Sequence, residues 1–188
     1  MRKLIYSMGV SLDGYIAGRG GEIGWSAPGE ELHRFHNEQM RAVGAQLCGR
    51  GLYETMVYWE TAHDDPALPP TELEFARIWQ ALPKIVFSTT LEHVVGNARL
   101  VRGDVAAEVA RLKAVPGKDL AVGGAGLAAS LARLGLIDEY GLFVNPVVLG
   151  GGTPYFPALD APIDLELVEA RTFAERVVYL RYRLQTTS

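Results

Sequence analysis

The chain has 188 residues, 48% of them hydrophobic and 21% charged, with a formal net charge of -4. That length and apolar content suit one compact domain with a buried core, and the acidic balance excludes a phosphate-backbone surface, which needs a basic excess or stripe. Cys48 is the single cysteine, which excludes an intrachain disulfide, and no stretch approaches the roughly 18 consecutive apolar residues of a membrane span.

Lys3–Met8 reads as a short apolar strand. MRKLIYSMGV holds no long apolar signal region or small-residue cleavage site, so a cytoplasmic location is expected. The following SLDGYIAGRGGEIGWSAPG is rich enough in turn formers to predict a long loop, and long loops in compact domains tend to carry function. From Glu30 to Val43, the recurrence of Leu32, Phe35, Met40 and Val43 among charged residues predicts a helix with one buried stripe. AQLCG is then a buried strand and RGLYETMVYW a helix.

HDDPALPP is a surface connection, after which Thr71 and Glu74 stand at capping-box spacing ahead of LEFARIWQAL. KIVFSTT and ARLVRG read as strands, and DVAAEVARLKAV as a helix with Asp104 as its N-cap. LAVGG is a strand, AGLAASLARLG a helix closed by Gly135, and EYGLFVNPVVLG a strand in which Pro146 predicts a bulge or an edge. Leu165–Phe173 and Val177–Leu184 form a hairpin around Ala174, Glu175 and Arg176, with Val178, Leu180, Tyr182 and Leu184 on one face of its second strand. The alternation predicts an α/β fold: a mostly parallel sheet, helices on both faces, and the hairpin as an antiparallel edge.

Three strand ends carry phosphate chemistry. Gly124-Ala-Gly126-Leu-Ala-Ala129 matches a G-x-G-x-x-A turn between a strand and a helix, where glycines allow close approach and the helix end offers unpaired N–H groups to an anion. A standard dinucleotide fold has this turn after its first strand and a carboxylate about 20 residues on. Here the turn comes late, and Val144, Asn145 and Pro146 stand in that region. Gly49-Arg50 and Ser88-Thr89-Thr90 close two other strands with a guanidinium and hydroxyls, and ligands of open α/β sheets bind beyond the carboxyl ends of the strands. Together the three favour a nucleotide.

The order SLDGYIA, GEIGW, LCGRGLYE, KIVFSTT, LAVGGAGL and GLIDEYGLFVNPVVLGGGTPYFP, spanning nearly the whole chain, resembles the dihydrofolate reductase-like superfamily. Its nearest likeness there is the C-terminal reductase domain of the riboflavin-biosynthesis deaminase-reductase. The resemblance implies a three-layer dihydrofolate reductase-like fold and an NADPH-dependent reduction of a small pyrimidine or pteridine type of substrate. It places Gly49 and Arg50 at the phosphates and Ser88 and Thr89 at the adenosine side. Gly123, Gly124, Ala125, Gly126 and Leu127 fall at the pyrophosphate, and Ile16 and Ala17 at the nicotinamide. It also implies a cis Gly123–Gly124 peptide and a homodimer.

On the substrate side the resemblance points to Trp25, Phe35 and Tyr155, the last in a glycine-rich loop, LGGGTPYFP, able to close over substrate. Glu31, rather than Glu30, falls where the superfamily places its acidic residue, although paired glutamates in a first helical turn also simply complement the helix dipole. Asp13 is a second catalytic candidate or a turn former. The chain departs from the riboflavin branch in having Tyr15 where lysine is typical and no Asp-Pro-x-Leu motif for a ribose phosphate. His33 and His36, without a third ligand, read as a solvated helix face rather than a metal site. True dihydrofolate reductase activity and nucleotide binding without turnover are the alternatives.

Overall fold

The computed structural model describes residues 1–174 and 176–185; Glu175, in the expected hairpin turn, lies outside the described residues. Six strands run parallel: β1 (Leu4–Ser11), β3 (Ala45–Gly49), β4 (Lys84–Phe87), β5 (Ala98–Val101), β6 (Leu120–Gly123) and β7 (Glu139–Asn145). Their order across the sheet is β5-β4-β3-β6-β1-β7, and β10 (Val178–Leu184) and β9 (Leu165–Thr172) continue it antiparallel. Burial on both faces explains why β4 is buried throughout, without the alternation of a half-exposed strand.

Two helices, α4 (Val105–Ala114) and α5 (Ala125–Arg133), cover one face, packing Val109, Leu112, Leu127 and Leu131 on Leu4, Tyr6 and Val10 of β1. The other face carries α1 (Glu30–Ala42), α2 (Arg50–Met56) and α3 (Pro70–Ala81). Its core is divided in two. Leu32 and Phe35 pack with Phe143, Phe173 and Tyr179 on one side, and Tyr53, Phe75 and Trp79 pack with Cys48 and Val86 on the other. Between them β1 presents Ser7 and Gly9, smaller than the Leu4, Tyr6 and Val10 of its opposite face, and a gap remains.

Several local expectations change. The long loop contains a short strand, β2 (Tyr15–Ala17), paired with β8 (Thr153–Pro154). The Thr71/Glu74 capping box does not form, because α3 starts two residues earlier, with Pro69 as N-cap and Pro70 as its first residue, and Glu74 turns to Arg41 and Asn37. The helix from Arg50 tightens at Val57–Glu60 into a 3-10 turn. Pro146 lies beyond β7, an interior strand between β1 and β10. In β10 the most buried residue is Tyr179, on the face opposite Val178 and Leu180, because this strand too is covered on both sides. Asp104 caps α4 as expected, accepting from the amides of Ala106 at 2.9 Å and Ala107 at 3.3 Å.

Candidate functional site

Because β4, β3 and β6 are adjacent and parallel, Ser88, Gly49 and Gly124 emerge side by side at one edge of the sheet. A Cβ built on Gly49 would sit 3.6 Å from Leu127 Cβ, so the β3–α2 and β6–α5 turns are in contact. Gly124 is the N-cap of α5 at φ 91, a left-handed conformation natural only to glycine, and no side chain caps the helix. The first-turn amides of α5 are therefore open to a ligand. No cis peptide occurs among the described residues, so Gly123–Gly124 is trans; the positive φ of Gly124 turns the chain without isomerisation.

Arg50 donates from Nε to Glu54 Oε1 at 2.8 Å and from Nη1 to Thr90 Oγ1 at 3.0 Å. The Ser88 hydroxyl accepts from the amides of Thr90 and Leu91 at 3.2 and 3.1 Å, so it shapes the turn and leaves Thr89 and Thr90 exposed beside Arg50. Arg102 reaches into the same turn, donating to the Thr89 carbonyl at 3.1 Å and to that of Leu91. Nothing in its local sequence announces this residue except its place directly after β5.

Beyond β1, Asp13 accepts from Ser11 Oγ at 2.7 Å, Leu149 N at 3.1 Å and Gly150 N at 2.7 Å. The Ser11 hydroxyl and the Leu149 amide hold its carboxyl below the usual range. Asp13 thus staples two loops, as its turn-forming reading expects. Arg19 adds a bond to the Gly150 carbonyl at 2.7 Å, and β2–β8 pairing fixes the segment that follows. LGGGTPYFP is accordingly clasped to the first loop instead of hanging free as a lid. Ile16 is buried in the core and Ala17 is paired with Thr153. Tyr155, expected at the substrate, is 2% exposed, stacks on Tyr6 and meets the carbonyls of Tyr6 and Gly141 at 3.0 Å, all marks of a core residue.

The gap under α1 is a cavity of about 440 Å³. Its helical wall comprises His36, Gln39, Met40 and Val43, spaced to share one face of α1, and its floor includes Ser7, Gly9 and Gln46. Burial, with the charge of His33 second, pushes the His36 imidazole down to about 4, and its ring packs on Phe143 at 4.4 Å between centroids. His33 is half-buried against Phe75. Neither histidine lies on a solvated face, because α1 is gripped by the sheet on one side and α3 on another.

The other α1 candidates point elsewhere. Glu31 accepts from the Ala174 amide at 3.1 Å and faces Arg171 at 3.5 Å, tying α1 to the C-terminal hairpin. Glu30 pairs with Arg34. Phe35 lies in the aromatic cluster with Arg171 over its ring at 4.9 Å. Trp25 donates to the Glu22 carbonyl at 3.0 Å within its own loop, whose Ile23 lines the cavity. Cavity and strand-end cradle meet: Leu52 and Gly123 line the first, and a Cβ on Gly124 would lie 3.3 Å from Leu52 Cβ.

The sequence matches the RibD C-terminal domain over residues 2–179. It is 33% identical over 182 residues to YyaP, an uncharacterized protein of Bacillus subtilis (strain 168), covering 96% of this chain and 94% of that one. Among solved structures, it is similar to a Shewanella sp. PV-4 protein named for riboflavin biosynthesis, with a TM-score of 0.75, 22% identity, and coverage of 99% of this chain and 100% of the other. It is also similar to Enterococcus faecalis dihydrofolate reductase complexed with NADP(H), with a TM-score of 0.63, 16% identity, and coverage of 98% and 97%. At these identities the structural likeness establishes the dihydrofolate reductase-like fold.

Proposed function

The chain belongs to the RibD C-terminal domain family, and on that premise we propose that residues 1–188 act as one NADPH-dependent reductase domain, with a small heterocycle reduced at a C=N or C=O bond. The observation that carries this reading is the meeting of the strand-end cradle with an apolar cavity at Leu52 and Gly123, which makes their two ligands neighbours.

The residues present fit the cofactor. A Cβ built at Gly126 would meet nothing within 4 Å, so the backbone of the α5 first turn is bare, and its free amides suit a pyrophosphate. Arg50, Thr90 and Arg102 gather two guanidinium groups and a hydroxyl at the neighbouring strand ends, the donor set that a 2′-phosphate selects. Ile16 and Ala17, fixed by the Asp13 clasp, take the nicotinamide side. When bound, NADPH supplies the hydride, and the protein supplies orientation and a dry pocket.

Reduction of C=N also consumes a proton at nitrogen. Glu31 is committed to the hairpin, Asp13 to the clasp, and burial keeps His36 uncharged near neutral pH. Water at the cavity mouth is then the proton source. The proposal includes a cytoplasmic homodimer: the single thiol is buried, no described helix is long and apolar enough to cross a membrane, and β9 leaves an open edge with Leu167 and Val168 exposed.

Fluorescence titration with NADPH and NADH tests the reading. Removing one charge-assisted hydrogen bond costs about 1.5–3 kcal/mol, or roughly 10- to 100-fold in Kd, so Arg50→Ala should weaken NADPH by that factor and NADH less. Equal losses would move Arg50 to the pyrophosphate. Failure of the unmodified protein to bind NADPH would overturn the proposal.

A further inference from the structure

The cavity under α1 has a chemistry of its own. Among the described residues, the fixed charges lining it are Asp119 and Arg181, one of each sign, and both already hold hydrogen bonds. Asp119 accepts from the Lys3 amide at 2.8 Å. Arg181 donates from Nε to Glu139 at 2.6 Å, and Glu139 is 2% exposed and also held by Lys3 at 2.6 Å. Burial pushes the Glu139 carboxyl up, but its bonds to Lys3 and Arg181 outweigh that and hold it low, so the arginine stays engaged.

A phosphate or carboxylate brought into this space would meet the Asp119 carboxylate and a single cation, Arg181, whose Nε and Nη2 are already given to Glu139, and a poorly compensated charge in an apolar cavity costs several kcal/mol. Flat apolar surface, by contrast, finds Phe75 and Trp79 on one side and Phe143 and Tyr179 on the other. The polar groups left to orient a ligand are neutral: His36, Gln39, Gln46 and the Ser7 hydroxyl, which has no hydrogen-bond partner among the described residues. The burial that lowers His36 keeps its imidazole a one-donor, one-acceptor edge near neutral pH.

We infer that this cavity takes an uncharged, flat, unphosphorylated heterocycle whose donor–acceptor edge is read by His36 from α1. The inference rests on the reductase reading in making that heterocycle the substrate, and it excludes a phosphoribosyl pyrimidine. The volume agrees, since small-molecule sites span about 300–1,000 Å³ and the cavity holds about 440 Å³.

The test uses the full chain with ¹⁵N-labelled histidine, following the His36 imidazole signal, assigned by its loss in His36→Gln, because that signal reports the cavity and not the strand-end cradle. The probes are quinazolin-4-one, an uncharged bicycle with a lactam edge, and uridine 5′-monophosphate. Quinazolin-4-one should shift the His36 signal in a saturable way at least about tenfold more tightly than uridine 5′-monophosphate. His36→Leu, followed by calorimetry, should weaken quinazolin-4-one about tenfold or more while leaving NADPH affinity unchanged. Should His36→Leu fail to fold, Gln39→Met on the same helix face carries the comparison. Tighter binding of the nucleotide, or quinazolin-4-one affinity indifferent to the substitution, overturns the inference. NADPH titration of the same samples separates the two readings: NADPH binding without quinazolin-4-one binding removes this inference alone, and absence of NADPH binding removes the reductase reading.

Discussion

Lowering pH from 7 to 4.5 should expose the energetic cost of housing His36 beside a cavity. In the folded chain, burial, with the nearby charge of His33 second, lowers the imidazole from its ordinary 6.5 to about 4. The unfolded chain takes up a proton on this residue as pH falls below 6.5, and the folded chain refuses it until about 4. Above 6.5 the two states agree and the residue contributes no pH dependence. Below it, each pH unit removes about 1.4 kcal/mol of stability, or about 3 kcal/mol across the whole window, a large part of the roughly 5–15 kcal/mol that holds a domain folded. Urea unfolding of wild type and His36→Gln at stepped pH isolates this contribution, because every other titrating group is common to both. The variant should lose less stability between pH 7 and pH 4.5, by about 2–3 kcal/mol. Parallel loss in the two proteins would refute the burial argument and, with it, the neutral imidazole at the cavity.

Two substitutions test the loops around the site. A Cβ on Gly152, at φ 137, would drive into the Ala17 carbonyl oxygen and lie 3.0 Å from the Gly18 carbonyl carbon; Gly152→Ala should therefore cost at least about 1–3 kcal/mol and expose residues 149–154 to limited proteolysis, and an unchanged melting point and digestion pattern would contradict the clasp. Tyr155→Phe strips a hydroxyl from two buried carbonyls, so denaturation should show a loss of about 1–2 kcal/mol with KM for substrate unaltered; a raised KM would return Tyr155 to the substrate site.

The alternation of elements was legible because central parallel strands such as KIVF and AQLC are short, mostly apolar runs, and the helices between them carry their own periodicity. The convergence of Gly49, Arg50, Ser88 and Gly124 was legible for a related reason: each stands at a strand-to-helix or strand-to-turn junction, and parallel strands bring such junctions to one edge. Side-chain destinations were not. Glu31 and His36 sit on one helix and differ by little more than one turn, yet one reaches the hairpin and the other the cavity, a difference set by the rotation of α1 against β10. The stripe that fixes this rotation includes His36 and Gln39, which an apolar count discards. Asp13 and Tyr155 likewise act through contacts 136 and 149 residues away in the chain, with Leu149 and Tyr6, beyond the range of local spacing. Arg102 enters its turn from a neighbouring strand for the same reason.

A crystal structure of the protein soaked with NADPH should show the pyrophosphate on the Gly124–Gly126 turn at the start of α5, the 2′-phosphate within hydrogen-bond reach of Arg50 and Arg102, and the nicotinamide ring at the mouth of the cavity under α1. Density for the cofactor at any other edge of the sheet, or a 2′-phosphate directed away from both arginines, would contradict the proposed cofactor site.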